Sequence, residues 1–205
     1  MERTEHRKKW ETCQCCPDMC GNVPAIISLS PPRETNLRVL FLGEAPGRSE
    51  VDLKRPFIGP SGTLLRDIIR EVQQEVVFRP YLQNTICCRP PDNRDPNKLE
   101  ILNCRTRLLE CLLVVNPTFI VTVGNIAKQV LADLKKLSEK KLLLSGLSEK
   151  STRRVSRIIK RPTCHMLHPA SILRAPNTKQ FFIRETTRVD LAANLKTLIK
   201  DTFND

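Results

Sequence analysis

Two glutamates and one aromatic ring stand in a stretch rich in residues that fix backbone shape. Gly43 to Gly62 reads GEAPGRSEVDLKRPFIGPSG, with Glu44, Glu50 and Phe57 set among four glycines and three prolines. Glycine and proline set the path of the chain, acids offer proton-transfer and charge-stabilising groups, and a ring offers a stacking face. Long ordered loops in compact domains are usually functional, so the stretch is read as a site. Further along, Asn84 carries both a donor and an acceptor, and His168 is followed by Pro169-Ala170-Ser171. A second kind of chemistry comes from nine cysteines: Cys13, Cys15, Cys16, Cys20, Cys87, Cys88, Cys104, Cys111 and Cys164. Their odd number, behind an N-terminus (MERTEHRKKW) that does not read as an export signal, argues against a disulfide framework. Metal or cluster ligation is the better account of at least four of them.

These residues need elements to hold them. The apolar run Leu37–Leu42 leads into the loop as a buried strand, and Ser61-Gly62 opens a helix with Leu64, Leu65, Ile68, Ile69 and Val72 on one face. The loop therefore joins the first strand and first helix of an α/β unit, at the carboxyl edge where such sheets bind ligands. Tyr81–Ile86 reads as a second strand, followed by the Pro/Asn/Asp-rich stretch to Pro96. A helix follows from about Asn97 to Val115, with Leu99, Leu102, Leu109 and Leu113 apolar. Thr118–Val123 is a third strand, leading through Gly124 to a helix from Asn125 to about Leu137. Residues 135–161, the most basic stretch, read as a helix end, a loop and a short edge element. Thr163–Leu167 is a fourth strand, and a last helix covers roughly Arg184–Phe203 with Leu191, Leu195, Leu198 and Ile199 inward. Residues 1–35 are polar and show no periodicity, so a metal centre at Cys13–Cys20 is expected to pin them. The alternation predicts one α/β domain over residues 1–205: three layers, helix, sheet, helix, around a mostly parallel four-stranded sheet.

At 205 residues the chain can bury a full core. No apolar run is long enough to span a bilayer, so a soluble, intracellular (cytoplasmic) protein is expected. The formal charge of +12, from 34 basic and 22 acidic residues, favours a polyanionic partner, nucleic acid first.

Four motifs now stand in order: GEAPG at Gly43–Gly47, RPFIG at Arg55–Gly59, NTICCRPP at Asn84–Pro91 and HPAS at His168–Ser171. Together they resemble the family 4 uracil-DNA glycosylases, the iron–sulfur branch of that superfamily, from Cys13 to the last helix. The cysteines match as well: Cys13 and Cys16 form a CxxC followed by Pro17, Cys88 precedes Arg89-Pro90-Pro91, and Cys104 lies in the next helix. The resemblance implies that these four hold a [4Fe–4S] cluster, with zinc on four cysteines as the alternative. Cys15, Cys20 and Cys87 stay open as substitutes, and Cys111 and Cys164 read as buried free thiols. Two departures stand out: Val51 replaces a second acid after Glu50, and Lys54 replaces the glycine before the RPF. Lys54 suggests a different loop path or an added phosphate contact.

The implied activity is DNA repair: a monomer on DNA that flips uracil out and hydrolyses its glycosidic bond. Phe57 would stack on the base, and Asn84 would read its edge. Glu44 would orient water and stabilise the sugar cation, with the backbone from Ala45 through Pro46 to Gly47 seating the ring. Glu50 would line the pocket against a thymine methyl, and His168 would donate to O2 of the departing base. Leu173 and Arg174 would wedge into and grip the duplex. A same-fold protein that reads or processes another base is the alternative. A phosphate-binding α/β protein ranks last, because neither GxxxxGK[ST] nor GxGxxG is present.

Overall fold

The computed structural model describes residues 1–140 and 147–203. In chain order the elements are α1 (Arg3–Glu11), β1 (Cys20–Asn22), β2 (Ile27–Ser28), β3 (Arg38–Gly43), α2 (Arg48–Asp52), α3 (Pro60–Glu75), β4 (Arg79–Asn84) and β5 (Cys88–Arg89). After a 3-10 turn at Pro91–Asn93 come α4 (Lys98–Val115), β6 (Phe119–Val123), α5 (Asn125–Glu139), α6 (Glu149–Ile159), β7 (Thr163–Met166), α7 (Pro169–Leu173) and α8 (Asn177–Phe203).

The main sheet has the order β2-β4-β3-β6-β7. Its β3, β4, β6 and β7 are parallel, as the sequence predicts, and β2 adds a fifth, antiparallel strand on the free side of β4. The central strand β3 is apolar at every position from Val39 to Leu42 because helices cover both its faces. Val39 and Phe41 point into one core with Leu65, Ile68 and Val72 of α3 and Leu191 and Leu195 of α8. Leu40 and Leu42 point into the other with Leu108 and Leu112 of α4, Leu131 of α5 and Val155 of α6. The three-layer expectation therefore holds. No described helix is long and apolar enough to cross a membrane.

Several sequence expectations need correction. Residues 1–35 are not held by a metal centre alone. Helix α1 docks on α4 through His6, whose Nε2 lies 3.2 Å from the Arg107 carbonyl, and through Lys9 and Trp10, which both donate to Glu110. Strand β1 pairs with β5 and β2 with β4. In α4, Leu99 and Leu102 face solvent, at 63% and 51% exposure. Leu109 is buried as expected, with Glu100, Cys104, Arg107, Leu108, Glu110, Cys111, Leu112 and Val115, so three charged residues occupy buried positions that a hydrophobic reading rejects.

The basic stretch begins with the expected end of α5 and carries a helix in place of the edge element: Ser148 caps α6, accepting from the Ser151 amide (3.3 Å), and Val155, Ile158 and Ile159 are buried. Its residues 141–146 lie outside the described residues. Helix α8 begins at Asn177, ahead of the expected Arg184, because its first turns carry exposed Phe181 and Phe182 and show no inward apolar stripe. The Leu198 side chain lies outside the described residues.

Candidate active site

All four parallel strands end at one cleft of about 640 Å³. Its walls are Glu44, Ala45 and Pro46 after β3, Asn84 ending β4, Val123 and Gly124 ending β6, and His168 just beyond β7. Phe57 closes it from the loop before α3, and Arg174 from the far rim. The carboxyl edge of an open parallel sheet is where strand ends diverge and backbone groups are left to meet a ligand.

Gly43 brings the base-reading candidates together. A Cβ there would stand 2.5 Å from Asn84 Oδ1 and 2.8 Å from Phe57 Cζ, so the amide and the ring converge on a position only glycine can fill. Phe57 itself has φ 60°, and a Cβ at Gly62 would collide with its backbone. The ring is thus held over the strand end by backbone geometry of α3's first turn. The end of β4 grips the same corner: Thr85 Oγ1 donates to the Glu44 carbonyl (2.6 Å), and the Ile86 amide does so at 3.1 Å. The Glu44 side chain is half-buried, and burial, then the negative Asp95 across the cleft, hold its carboxyl above the ordinary carboxylate range.

Glu50 is neither a solvated acid nor a bare pocket wall. Its two oxygens accept from the amides of Gly47 (3.1 Å) and Gly59 (3.0 Å), bolting the loop's two ends together at the start of α3. The departures also find physical reasons. Lys54 has φ 51°, the left-handed backbone that glycine adopts freely. Val51 lies against Gly21 of β1, where any added Cβ would stand 2.5 Å from its Cγ1, so the site loop packs on the cysteine-rich segment.

His168 caps the short α7: its Nδ1 accepts from the Ala170 amide at 3.2 Å. Burial, then Arg174, lower its pKa, so the ring is neutral at neutral pH. With Nδ1 accepting, the proton sits on Nε2, which is left as a donor. Gly124 (φ 88°) lets β6 approach within 3.2 Å of the His168 ring, measured from a Cβ built there. Leu173 is 41% exposed and Arg174 is exposed beside it at the rim.

The cysteines gather at the neighbouring end of β4. Cys87 Sγ lies 3.8 Å from Cys88 Sγ and 3.9 Å from Cys104 Sγ, and Met19 packs against them. Asn103 ties in the N-terminal group, donating to Cys16 Sγ (3.4 Å) and to the Cys15 carbonyl (3.0 Å), and Cys13 hydrogen-bonds Cys15. Among the described residues no three His, Cys, Asp or Glu side chains converge as tightly as a single metal ion requires. Thiols from three chain segments nevertheless lie in one region, with Cys16 joined to the α4 side through Asn103, a soft donor set that suits iron–sulfur ligation. Cys87, rather than Cys88, stands nearest Cys104, and the side chain of Cys20 lies outside the described residues. Cys111 is buried in the core and Cys164 half-buried; burial pushes both thiols up to about 12, the behaviour of inert structural cysteines.

Residues 32–190 match the family model described as the uracil DNA glycosylase superfamily. A "Type-4 uracil-DNA glycosylase" of Thermotoga maritima is 36% identical over 142 residues, covering 67% of this chain and 69% of that protein. The chain belongs to the type-4 branch of this superfamily. Proteins of the same description from Pyrobaculum aerophilum (32% over 154 residues; 74% and 76% covered) and Sulfurisphaera tokodaii (31% over 169; 80% and 74%) are similar to it as well.

In this type-4 chain, three supports of the site went unnoticed in the sequence. Arg94 forms a two-pronged ion pair with buried Glu100 (2.9 and 2.6 Å), which also takes the Asn97 amide, fixing the Pro-rich loop that lines the cleft. Gln83 spans from the Asn84 amide (2.7 Å) to the carbonyls of Pro24 and Ala25. Arg107, buried in α4, donates to the carbonyls of Asn84 and Thr85. The Asn97-x-x-Glu100 capping box was readable as a signal; a lone arginine in an apolar helix was not.

Proposed function

We propose that the chain excises uracil from DNA by hydrolysing its N-glycosidic bond, acting as a monomer inside the cell, with a [4Fe–4S] cluster on Cys13, Cys16, Cys88 and Cys104. The observation that carries the reading is the convergence of Glu44, Phe57, Asn84 and His168 on one cleft from a loop and three strand ends.

A flipped base entering this cleft meets the Phe57 ring as a stacking face. The Asn84 carboxamide accepts from uracil N3–H and donates to O4. Cytosine presents the reverse pattern, leaving buried polar groups unpaired at a cost of roughly 1–3 kcal/mol each. As the bond to the sugar lengthens, positive charge gathers on the sugar and negative charge on the base. The Glu44 carboxylate stabilises the first and orients the attacking water. The Nε2–H of neutral His168 donates to O2 of the departing base, a donor aimed where charge develops. Glu50 contributes by holding the loop rather than by touching the base. Leu173 and Arg174 enter the duplex at the rim. The cluster, when bound, staples the N-terminal segment to the Pro-rich loop beside the DNA.

The test is single-turnover cleavage of matched oligonucleotides containing uracil or cytosine, with binding measured in parallel. Glu44→Gln is expected to lose most of the rate while still binding uracil DNA, the mark of an interaction made chiefly in the transition state. Asn84→Asp is expected to abolish uracil release by losing the donor to O4 and repelling the anionic base. Near-wild-type release by both variants would sink the assignment.

A further inference from the structure

Arg107 is wholly buried, and the excision chemistry just described does not use it. Its Nη2 donates to the carbonyl oxygens of Asn84 (2.7 Å) and Thr85 (2.8 Å), while its Nε and Nη1 find no partner among the described residues. A guanidinium does not give up its proton, and a charge removed from water needs an opposite one. The buried carboxylates on the same helix are taken: Glu100 by Arg94, and Glu110 by Lys9 and Trp10. What remains around Arg107 is sulfur. Cys104 and Cys111 flank it one helical turn away in each direction, and Cys87 lies against Cys104.

We infer that Arg107 is a positioning residue linking the cysteine nest to the base-reading end of β4. One edge of its guanidinium holds the Asn84 and Thr85 carbonyls, and the other faces thiolate sulfur that balances its charge. The charge-balancing half rests on the iron–sulfur reading of the nest; the hold on Asn84 does not. Loss of this guanidinium loosens the strand end that presents the Asn84 amide, and it leaves an anionic thiolate-ligated centre without its buried cation. The arginine's three neighbours, peptide, sulfur and helix α1 at its own carbonyl, make it the point where the N-terminal segment, the nest and the cleft meet.

The experiment compares wild type, Arg107→Lys and Arg107→Met as anaerobically purified full-length protein. It reads iron per chain, the rate of iron loss to a chelator, the reduction potential of the visible chromophore, and single-turnover uracil excision. Groups that support metal ligands from outside typically change affinity 10–100-fold when removed, so Arg107→Met is expected to lose iron on that scale faster. Its potential is expected to shift negative, because added electron density is no longer offset by a buried positive charge, and its excision rate is expected to fall at least tenfold. Arg107→Lys keeps the charge, but its shorter, flexible ammonium does not hold both carbonyls in the fixed geometry that Nη2 gives, so its potential is expected to stay near wild type while excision still falls. Wild-type potential, iron retention and excision in Arg107→Met would overturn the inference. Should Arg107→Met fail to fold, wild-type excision by Arg107→Lys would overturn the hold on Asn84. A wild-type protein without iron overturns the cluster reading and the charge-balancing half with it, while the excision rate of Arg107→Lys still decides the hold on Asn84.

Discussion

Lys54 and Gly124 both carry positive φ, but only the second has the residue that conformation suits. A non-glycine residue held in the left-handed region costs about 1–2 kcal/mol. Lys54→Gly removes that strain, partly offset by the greater freedom of the unfolded chain. Denaturant unfolding is expected to show a gain of up to about 1 kcal/mol, with excision unchanged at low salt. A loss of stability would mean that the exposed lysine makes contacts outweighing its backbone strain. Gly124→Ala tests the opposite case. The new methyl meets the His168 ring at 3.2 Å on a backbone that alanine resists. Excision is expected to drop because the Nε2–H donor is displaced, while binding of uracil-free duplex stays near wild type. Equal losses in both would place the effect in folding rather than in the donor.

Among the elements, α4 joins more of the site than any strand. It carries Cys104 and Arg107 on its inner face, bears α1 at Arg107 and Glu110 in its carboxyl-terminal half, and begins at the capping box that fixes the cleft-lining loop. His6, the buried anchor of α1, faces the Arg107 carbonyl, Glu110 and Lys9, and burial lowers its pKa below the ordinary histidine value. A base whose folded pKa lies below its unfolded one stabilises the fold fully above the unfolded pKa, about 6.5, and progressively less as pH falls beneath it. Stability measured from pH 8 down to pH 5 is therefore expected to decline, and His6→Gln to flatten that decline. An unchanged slope in the variant would remove His6 as its cause.

Elements with one chemical character were legible in sequence. β3, α3 and β6 are mostly apolar where they are buried, and the four strand ends carrying Glu44, Asn84, Gly124 and His168 followed from them. What escaped were several places where burial and polarity coincide. His6 and Arg107 are met by partners far away in sequence, which no local pattern announces, whereas Glu100 is met by its near neighbours Arg94 and Asn97. For the same reason Leu99 and Leu102, with nothing to pack on, misdirected the reading of the helix that matters most.

For the molecule as a whole, the +12 formal charge makes salt the most direct probe of its partner. Affinity for uracil-free duplex is expected to fall with a log–log slope of about −0.9 for each phosphate neutralised. Arg174→Ala, at the cleft rim, is expected to make that slope shallower by about one such step. A flat response in the parent chain would remove nucleic acid as the partner. The placement of the cleft also has a meaning in time. Its parts emerge from the ribosome in the order Glu44, Phe57, Asn84, Gly124, His168, and a domain generally folds as a unit, so the cleft waits for β7, the edge strand made last. A chain ending before Thr163 would carry Glu44, Phe57 and Asn84 without His168. Only the last fifth of translation adds β7, the histidine beyond it, and then α8, latched to α3 through Arg184–Glu71 and Lys196–Glu75, and so completes the cleft.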